Sequence, residues 1–230
     1  GLMAIAAVDH ALRALNARLH QTSVVRLLGQ ARDAVPVYRS RGFTSYTTER
    51  LQQQLAGWAT DGIARVKMKV GSQPQDDPAR VHAAREAIGP EVDLMVDANG
   101  AYTRQQALAL ADEYAREQVC WFEEPVSSDD LEGLRLLRDR APPGMAIAAG
   151  EYGWDAWYFR RMLEAGAVDV LQIDATRCGG FSGFLQAASL ARGFGVPVSA
   201  HCAPTLHAHV CSALDNVLHL EYFHDHSRIE

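Results

Sequence analysis

The segment RVKMKVG, residues 65–71, predicts both a strand and a reactive site. It contains Lys67 and Lys69, which are the only lysines among the 22 basic residues of the chain. In a strand, residues i and i+2 share one face, so both ammonium groups point the same way while the apolar residues point to the other face. A lysine crowded by a second cation loses its proton more readily than an arginine, so the pair indicates a candidate base. Two solvated lysines on an edge strand are the alternative interpretation.

Apolar segments and amphipathic segments alternate on both sides of this strand. A helical period predicts a leading helix over residues 2–29, and the first strand is predicted at Val35–Tyr38. Predicted strands then begin roughly every 20 to 30 residues, with helices between them, which is typical of parallel βα units. Eight strands with seven connecting helices, and no glycine-rich dinucleotide fingerprint after the first strand, predict a (β/α)8 barrel rather than a doubly wound sheet.

The predicted domain organisation is one barrel domain over residues 1–230. Residues 1–34 are predicted to hold the leading helix and its connection, and residues 35–230 the eight barrel strands. A net charge of −6 argues against a nucleic-acid partner. No apolar run is long enough to span a membrane. The four cysteines form no C-x-x-C pair and indicate reduced thiols of a cytoplasmic protein.

Ionisable residues follow seven successive predicted strands. Any one of them could shape a turn or cap a helix, but barrel sites are built at the C-terminal ends of the strands, where all of these residues fall. Their recurrence therefore favours a functional site. The ionisable residues, in chain order, are Lys67, Lys69, Asp97, Glu123, Glu124, Glu151, Asp174, His201 and Glu221, and the amide Asn99 follows Asp97 in the same segment.

Two groups within this set suggest chemistry. Asp97, Glu123 and Glu151 come from neighbouring strands, and three carboxylates without His or Cys favour Mg²⁺, with Mn²⁺ as the alternative. Asp174 and His201 come from the next two strands. An aspartate that holds one imidazole nitrogen fixes the tautomer and raises the basicity of the other nitrogen. The sequence thus predicts a metal site, a lysine base and a His–Asp pair.

The ordered motifs resemble the mandelate racemase branch of the enolase superfamily. The motifs are K-M-K, D-A-N-G, F-E-E-P, G-E, I-D with a following G-G, S-A-H and L-E. The resemblance implies the modified (β/α)7β form of the barrel. It also implies an N-terminal capping domain that selects the substrate, and we expect that domain to be absent from this chain.

By the same resemblance, each site residue has an expected role. Asp97, Glu123 and Glu151 match the Mg²⁺ ligands, Lys69 matches one general base, and Lys67 lies beside it to lower its pKa. Asp174 and His201 match the second base, and Glu221 matches an acid that hydrogen-bonds the substrate carboxylate. Asn99 matches a substrate or metal contact, and Arg177 and Tyr152 are candidate substrate contacts.

The implied activity is Mg²⁺-dependent removal of the proton α to a carboxylate, through an enediolate, by a lyase or an isomerase. Dehydration of an acid sugar to a 2-keto-3-deoxy acid is preferred over racemisation or epimerisation of a 2-hydroxy acid. A non-catalytic barrel that serves as a binding module is the alternative of another class. The expected partners are a small-molecule carboxylate and further copies of the chain in a homo-oligomer.

Overall fold

A computed structural model describes residues 1–223 of the chain. Residues 224–230 of the predicted domain lie outside the described residues. Eight strands are present within the described part, and six pairs of consecutive strands are parallel. Their order runs from β1 to β8 in a closed barrel, so the predicted (β/α)8 fold is confirmed. The strands are β1 Val37–Arg41, β2 Arg65–Lys69, β3 Asp93–Asp97, β4 Val119–Glu123, β5 Ala146–Ala149, β6 Val170–Ile173, β7 Val198–Ala200 and β8 Val217–Phe223.

Two helices precede β1, and in the described residues one helix connects each strand to the next. The seven predicted connecting helices are therefore confirmed. Among residues 1–223, no helix is long and apolar enough to cross a membrane. The helices are α1 Leu2–Leu19, α2 Val24–Leu27, α3 Thr48–Thr60, α4 Asp77–Ile88, α5 Arg104–Arg116, α6 Leu131–Arg140, α7 Ala156–Glu164, α8 Gly180–Gly193 and α9 Pro204–Cys211.

The leading helix is shorter than predicted. It ends at Leu19 rather than at residue 29, because Gln21 has a φ of 51° and Ser23 begins a separate short helix. The Ser23 side chain accepts a hydrogen bond from the Arg26 amide at 3.4 Å, which is the usual N-cap interaction. Polar residues between two helical segments compete for backbone hydrogen bonds, and the apolar period does not reveal this competition.

The first strand begins two residues later than predicted, at Val37. Tyr38 and Ser40 are buried, whereas Arg39 faces outward and pairs with Asp61 at 2.8 Å. The sequence did not predict that the strand continues beyond residue 38, because two arginines interrupt its apolar pattern. A strand with one face buried and one face at the surface alternates in this way, so the arginines belong to it.

The chain forms two compact units. One comprises Tyr38–Ala149 and Ala165–Asp169, and the other comprises Gly1–Val37, Gly150–Glu164 and the segment from Val170 onward. In the first unit, Phe122 of β4 packs edge-on against Tyr114 of α5, with ring centroids 5.4 Å apart. Burial of such large side chains, each at about 1.5 to 3 kcal/mol, holds the helices on the strands.

In the second unit, α1 packs on α8 through a polar contact. The Asp9 carboxylate accepts hydrogen bonds from the Ser182 amide at 3.2 Å and the Ser182 hydroxyl at 2.6 Å. The regularly spaced apolar residues of α1 lie on its other face and are exposed, with Leu15 at 52% and Leu19 at 73%. The apolar period therefore predicted the helix but does not mark its buried face.

Candidate active site

Strand β2 carries the candidate lysine base and ends in two lysines with different surroundings. Lys67 is fully buried, and its ammonium donates to both carboxylate oxygens of Glu123 at 2.5 and 2.7 Å and to the Tyr38 hydroxyl at 3.4 Å. The Asp97 carboxylate lies 3.7 Å away. A buried cation needs such a partner because its desolvation is costly. Lys67 is therefore a buried positive charge that Glu123 holds in place.

Lys69 is the more accessible of the two lysines. Its side chain is 18% exposed, compared with 0% for Lys67. The Lys69 ammonium donates to the Asp97 carboxylate and, at 2.9 Å, to the side-chain oxygen of Asn99. A cavity of about 450 Å³ opens beside Lys69 and Asn99. Of the two lysines, Lys69 is the one that a small molecule can reach.

Asp97 and Glu123 are the carboxylates of this lysine cluster, which we define as Lys67, Lys69, Asp97 and Glu123. The two residues lie side by side in the β3–β4 register, and both are fully buried. Burial alone would raise the pKa of Asp97, but the charges of Lys69 and Lys67 outweigh it and hold that pKa below its usual value. The cluster thus keeps an ionised carboxylate at the end of β3.

The segment that follows β2 is fixed by a buried polar network. The Asp77 carboxylate accepts hydrogen bonds from the Gly71 amide at 2.8 Å and the Tyr102 hydroxyl at 2.6 Å. Gly71 has a φ of 101°, and a Cβ there would lie 2.6 Å from that of Ala101, so this position requires glycine. The network therefore sets the path of the backbone directly after Lys69.

The second unit contains a histidine cluster, which we define as Glu151, Asp174, His201 and Glu221. Nδ1 of His201 lies 2.9 Å from a carboxylate oxygen of Asp174. The other Asp174 oxygen accepts from the Thr176 amide at 2.8 Å and its hydroxyl at 2.7 Å. Burial would raise the pKa of Asp174, but the hydrogen bond with His201 outweighs it and lowers that pKa to about 2. The predicted His–Asp pair is present as an ionised aspartate and an oriented imidazole.

The second ring nitrogen of His201, Nε2, faces two further carboxylates. It lies 3.2 Å from Glu151 and 3.8 Å from Glu221. Burial would lower the pKa of His201, but the charge of Glu151, the hydrogen bond with Asp174 and the charge of Glu221 together raise it. Among residues 1–223, no group donates a hydrogen bond to Glu151 Oε2, although His201 Nε2 is close. Such a buried acceptor oxygen is chemically suited to a cation.

Arg177 holds Glu151 in place and lies against Tyr152. Its guanidinium donates to the backbone oxygen of Glu151 at 3.0 Å and to a carboxylate oxygen at 3.4 Å, and it lies 4.9 Å from the centre of the Tyr152 ring. Tyr152 is 46% exposed. The arginine is therefore engaged with the histidine cluster, whereas the tyrosine is accessible to a small molecule.

Comparison with known proteins identifies the family. Residues 50–230 match the family described as enolase C-terminal domain-like. The chain belongs to this family. The membership predicted from the motifs, in the enolase superfamily, is confirmed.

Solved structures and curated relatives agree with this membership. A mandelate racemase/muconate lactonizing enzyme-like protein from Rubrobacter xylanophilus is 58% identical, with a TM-score of 0.97 over 100% of this chain and 64% of that chain. L-Talarate dehydratase from a Polaromonas species, crystallised with Mg and L-glucarate, is 34% identical, with a TM-score of 0.89 over 96% of this chain and 62% of that one. D-Galactarolactone cycloisomerase from Agrobacterium fabrum is 34% identical over 204 residues, which are 87% of this chain and 53% of that protein.

This enolase-superfamily chain spans about half the length of that curated cycloisomerase. Other relatives include a racemase and further acid-sugar dehydratases. The relatives are therefore lyases and isomerases, and they share with this chain the barrel rather than the whole protein.

Trp121 contacts the site and was not identified from the sequence. Its indole nitrogen donates to a carboxylate oxygen of Glu123 at 2.9 Å. The two residues are separated by two positions on β4, so they share one face of the strand. That spacing was the available signal, but a buried tryptophan in a strand also fits ordinary core packing.

His207 of α9 contacts the backbone beside two residues of the histidine cluster. It is fully buried, its Nε2 accepts from the Ala175 amide at 2.8 Å, and its Nδ1 lies 2.8 Å from the Cys202 carbonyl. A carbonyl can only accept, so Nδ1 carries the proton and the ring is neutral. Burial accordingly lowers the pKa of His207. The ring ties together the residues that follow Asp174 and His201.

Replacing His207 with phenylalanine is expected to lower the free energy of unfolding by about 2 to 4 kcal/mol, because the buried Ala175 amide and Cys202 carbonyl lose their partner. Urea denaturation measures this change. His209→Gln, two residues away on the half-buried side of α9, is the matched control and should change stability by less than about 0.5 kcal/mol. Equal stability of the two variants would show that His207 does not fix these loops.

Proposed function

We propose that this chain is the barrel part of a Mg²⁺-dependent enzyme that removes the α-proton of a small carboxylic acid. Dehydration of an acid sugar to a 2-keto-3-deoxy acid is the preferred reaction. The observation that carries the proposal is that each candidate base, Lys69 and His201, lies beside a buried carboxylate at the C-terminal end of a barrel strand. Such paired groups at the strand ends are typical of a barrel active site.

Asp97, Glu123 and Glu151 are the proposed Mg²⁺ ligands, with Mn²⁺ as a possible replacement. The donor set supports this assignment, because it consists of carboxylates alone and includes the buried, unbonded oxygen of Glu151. A bound Mg²⁺ ion supplies positive charge that stabilises the negative charge formed on the substrate carboxylate. The relative crystallised with Mg and L-glucarate also supports an acid-sugar substrate.

Lys69 is the proposed base that accepts the α-proton at Nζ. It must be neutral to do so. The buried, charged Lys67 on the same strand face favours loss of its proton, and a Mg²⁺ ion held by Asp97 would offset the opposing effect of that carboxylate on Lys69. Asn99 accepts a hydrogen bond from Lys69 Nζ at 2.9 Å and orients it. Lys67 remains the fixed cation that balances Glu123.

His201 is the proposed second proton-transfer group. Asp174 holds Nδ1, so a proton on Nε2 can be donated to a β-hydroxyl, which then leaves as water. Glu221, whose carboxyl group lies 3.8 Å from Nε2, is proposed to act in its protonated form as the acid that donates a hydrogen bond to the substrate carboxylate. We propose Arg177 and Tyr152 as the residues that border the substrate, with Arg177 acting mainly through Glu151. Arrival of a proton on the opposite face of the α-carbon would instead give racemisation.

A panel of aldonates and aldarates, incubated with Mg²⁺ and the longer protein that contains this chain, tests the proposal. Dehydration is expected to give a 2-keto-3-deoxy acid, which semicarbazide converts to an absorbing product. Racemisation or epimerisation without keto-acid formation would support the alternative reaction. Absence of both reactions across the panel, with Mg²⁺ bound, would contradict an acid-sugar substrate.

Homo-oligomer formation and cytoplasmic location remain predictions.

A further inference from the structure

Cys202 is placed unusually for a residue beside a catalytic histidine. Its φ is 53° and that of Ala203 is 38°, a left-handed conformation that is uncommon for residues other than glycine. This turn brings the Cys202 sulfur to 3.2 Å from Nε2 of His201 and 3.4 Å from a carboxylate oxygen of Glu221. The Cys202 amide also donates to that oxygen at 3.0 Å. A strained backbone thus gathers nitrogen, sulfur and oxygen donors at one point.

We propose that His201, Cys202 and Glu221 form a second metal site, which binds Zn²⁺ and excludes Mg²⁺. An imidazole, a thiolate and a carboxylate are a typical zinc ligand set, whereas Mg²⁺ is bound by oxygen ligands alone. The site is separate in its chemistry from the proposed Mg²⁺ site, and it does not depend on the proposed reaction.

The separations between the three donor atoms match a tetrahedral site. Zinc bonds of about 2.0 to 2.3 Å place tetrahedral donors roughly 3.4 to 3.6 Å apart. The observed separations are 3.2 Å for sulfur and nitrogen, 3.4 Å for sulfur and oxygen, and 3.8 Å for nitrogen and oxygen. All three residues are buried. Small side-chain movements are enough to bring the three donors onto one ion, and the fourth position is left for water or for a substrate oxygen.

The surroundings of the three residues support the same assignment. A histidine that binds zinc usually donates its other ring N–H to a carboxylate, which fixes the tautomer. Asp174 provides this carboxylate, 2.9 Å from Nδ1 of His201, so the lone pair of Nε2 is left for the ion, with Cys202, Glu221 and the proposed Mg²⁺ ligand Glu151 within 3.8 Å of it. By contrast, the Cys120 thiol donates to the backbone oxygen of Leu94 at 3.5 Å.

Zinc at this site would block proton transfer by His201. The ion forms bonds to the Nε2 lone pair and to the Cys202 sulfur, and the thiol proton is released to water. His201 then has no free nitrogen to donate or accept a proton. This consequence, unlike the site itself, rests on the proposed function: an enzyme that uses His201 for proton transfer would be inhibited by zinc, and added Mg²⁺ would not reverse the effect.

Competition with a chromophoric zinc chelator tests the site in the purified protein, with Mg²⁺ present in excess. We expect one zinc equivalent, and we expect Co²⁺ in its place to give a thiolate-to-cobalt absorption band. Cys202→Ser should abolish the band and weaken zinc binding at least tenfold. Cys120→Ser, which changes the most accessible of the four thiols, should alter neither. Zinc binding by Cys202→Ser at wild-type strength, or loss of the band in Cys120→Ser, would overturn the inference.

Two further variants keep the test decisive. Glu221→Gln should weaken zinc binding but retain the thiolate band, which gives a second measurement if Cys202→Ser folds poorly. Asp97→Asn should lose Mg²⁺ binding and keep zinc binding, which separates the two sites. Loss of zinc from Asp97→Asn would place the ion at the proposed Mg²⁺ site and overturn the inference, and an unchanged zinc affinity in Glu221→Gln would do the same.

Discussion

Replacing Glu123 with glutamine is expected to weaken Mg²⁺ binding by at least about 100-fold. Loss of a residue that only supports a metal ligand weakens binding by up to about this factor, and Glu123 is itself a proposed ligand. The same change should lower the free energy of unfolding of the metal-free protein by about 3 to 5 kcal/mol. Lys67 is fully buried and donates to both Glu123 oxygens, at 2.5 and 2.7 Å. Without that carboxylate, Asp97 remains as an anionic neighbour at 3.7 Å.

Calorimetric titration with Mg²⁺ and urea denaturation measure the two effects separately. Glu91→Gln, at an exposed position in the same unit, removes the same charge and should change neither quantity appreciably. Unchanged Mg²⁺ affinity in Glu123→Gln would remove Glu123 from the proposed ligands. Unchanged stability would show that Lys67 does not depend on this ion pair.

Asp174→Asn is expected to lower turnover of the longer protein by about 10² to 10⁴-fold, the usual range for an acid–base group that loses its orientation. The asparagine can present its NH₂ group to Nδ1 of His201, which favours the tautomer with the proton on Nε2. The hydrogen bond that His201 donates to Asp174 also helps to raise the pKa of His201. Its loss should therefore move the imidazole titration to lower pH, so the protonated form disappears earlier as pH rises.

The pH profile of turnover separates this role from a merely structural one. Thr176→Ala is the matched control. It removes the hydroxyl that donates to Asp174 at 2.7 Å, and it keeps the hydrogen bond that the backbone amide of residue 176 donates to Asp174 at 2.8 Å. It should cost less than about tenfold and keep the wild-type profile. A wild-type pH profile in Asp174→Asn would mean that the carboxylate does not tune His201.

The barrel could be predicted from the sequence because βα alternation depends on local patterns. The sequence pattern predicts helices at about Asp77–Ile88 and Gly180–Gly193 and a strand at Ala146–Ala149, and α4, α8 and β5 have these bounds. The errors occurred where polar residues interrupt or extend an element. The leading helix ends at Leu19 because Ser23 begins a new one, and β1 continues through Arg39 because its outer face carries charge.

The types of the site residues were also readable, because each follows a predicted strand. The resemblance assigned different roles to Lys67 and Lys69, but the difference in their burial was not readable, since both lie on one strand face and their burial depends on tertiary packing. His207 and Cys202 were not readable either. A histidine in a helix gives no sign that its ring links two loops, and the turn at Cys202 depends on a backbone angle that no local pattern predicts.

Incorporation of solvent deuterium at the α-carbon tests the central claim, that Lys69 and His201 are the two proton-transfer groups of the site. In this claim Lys69 takes the α-proton, and His201 protonates either the leaving β-hydroxyl or the opposite face of the α-carbon. The measurement uses the longer protein in D₂O with Mg²⁺ and a 2-hydroxy acid that it turns over, followed by mass spectrometry. The wild type should incorporate deuterium. Lys69→Ala should abolish exchange for one configuration at that carbon, and His201→Asn should abolish it for the other. Wild-type exchange rates in both variants would contradict the proposed mechanism.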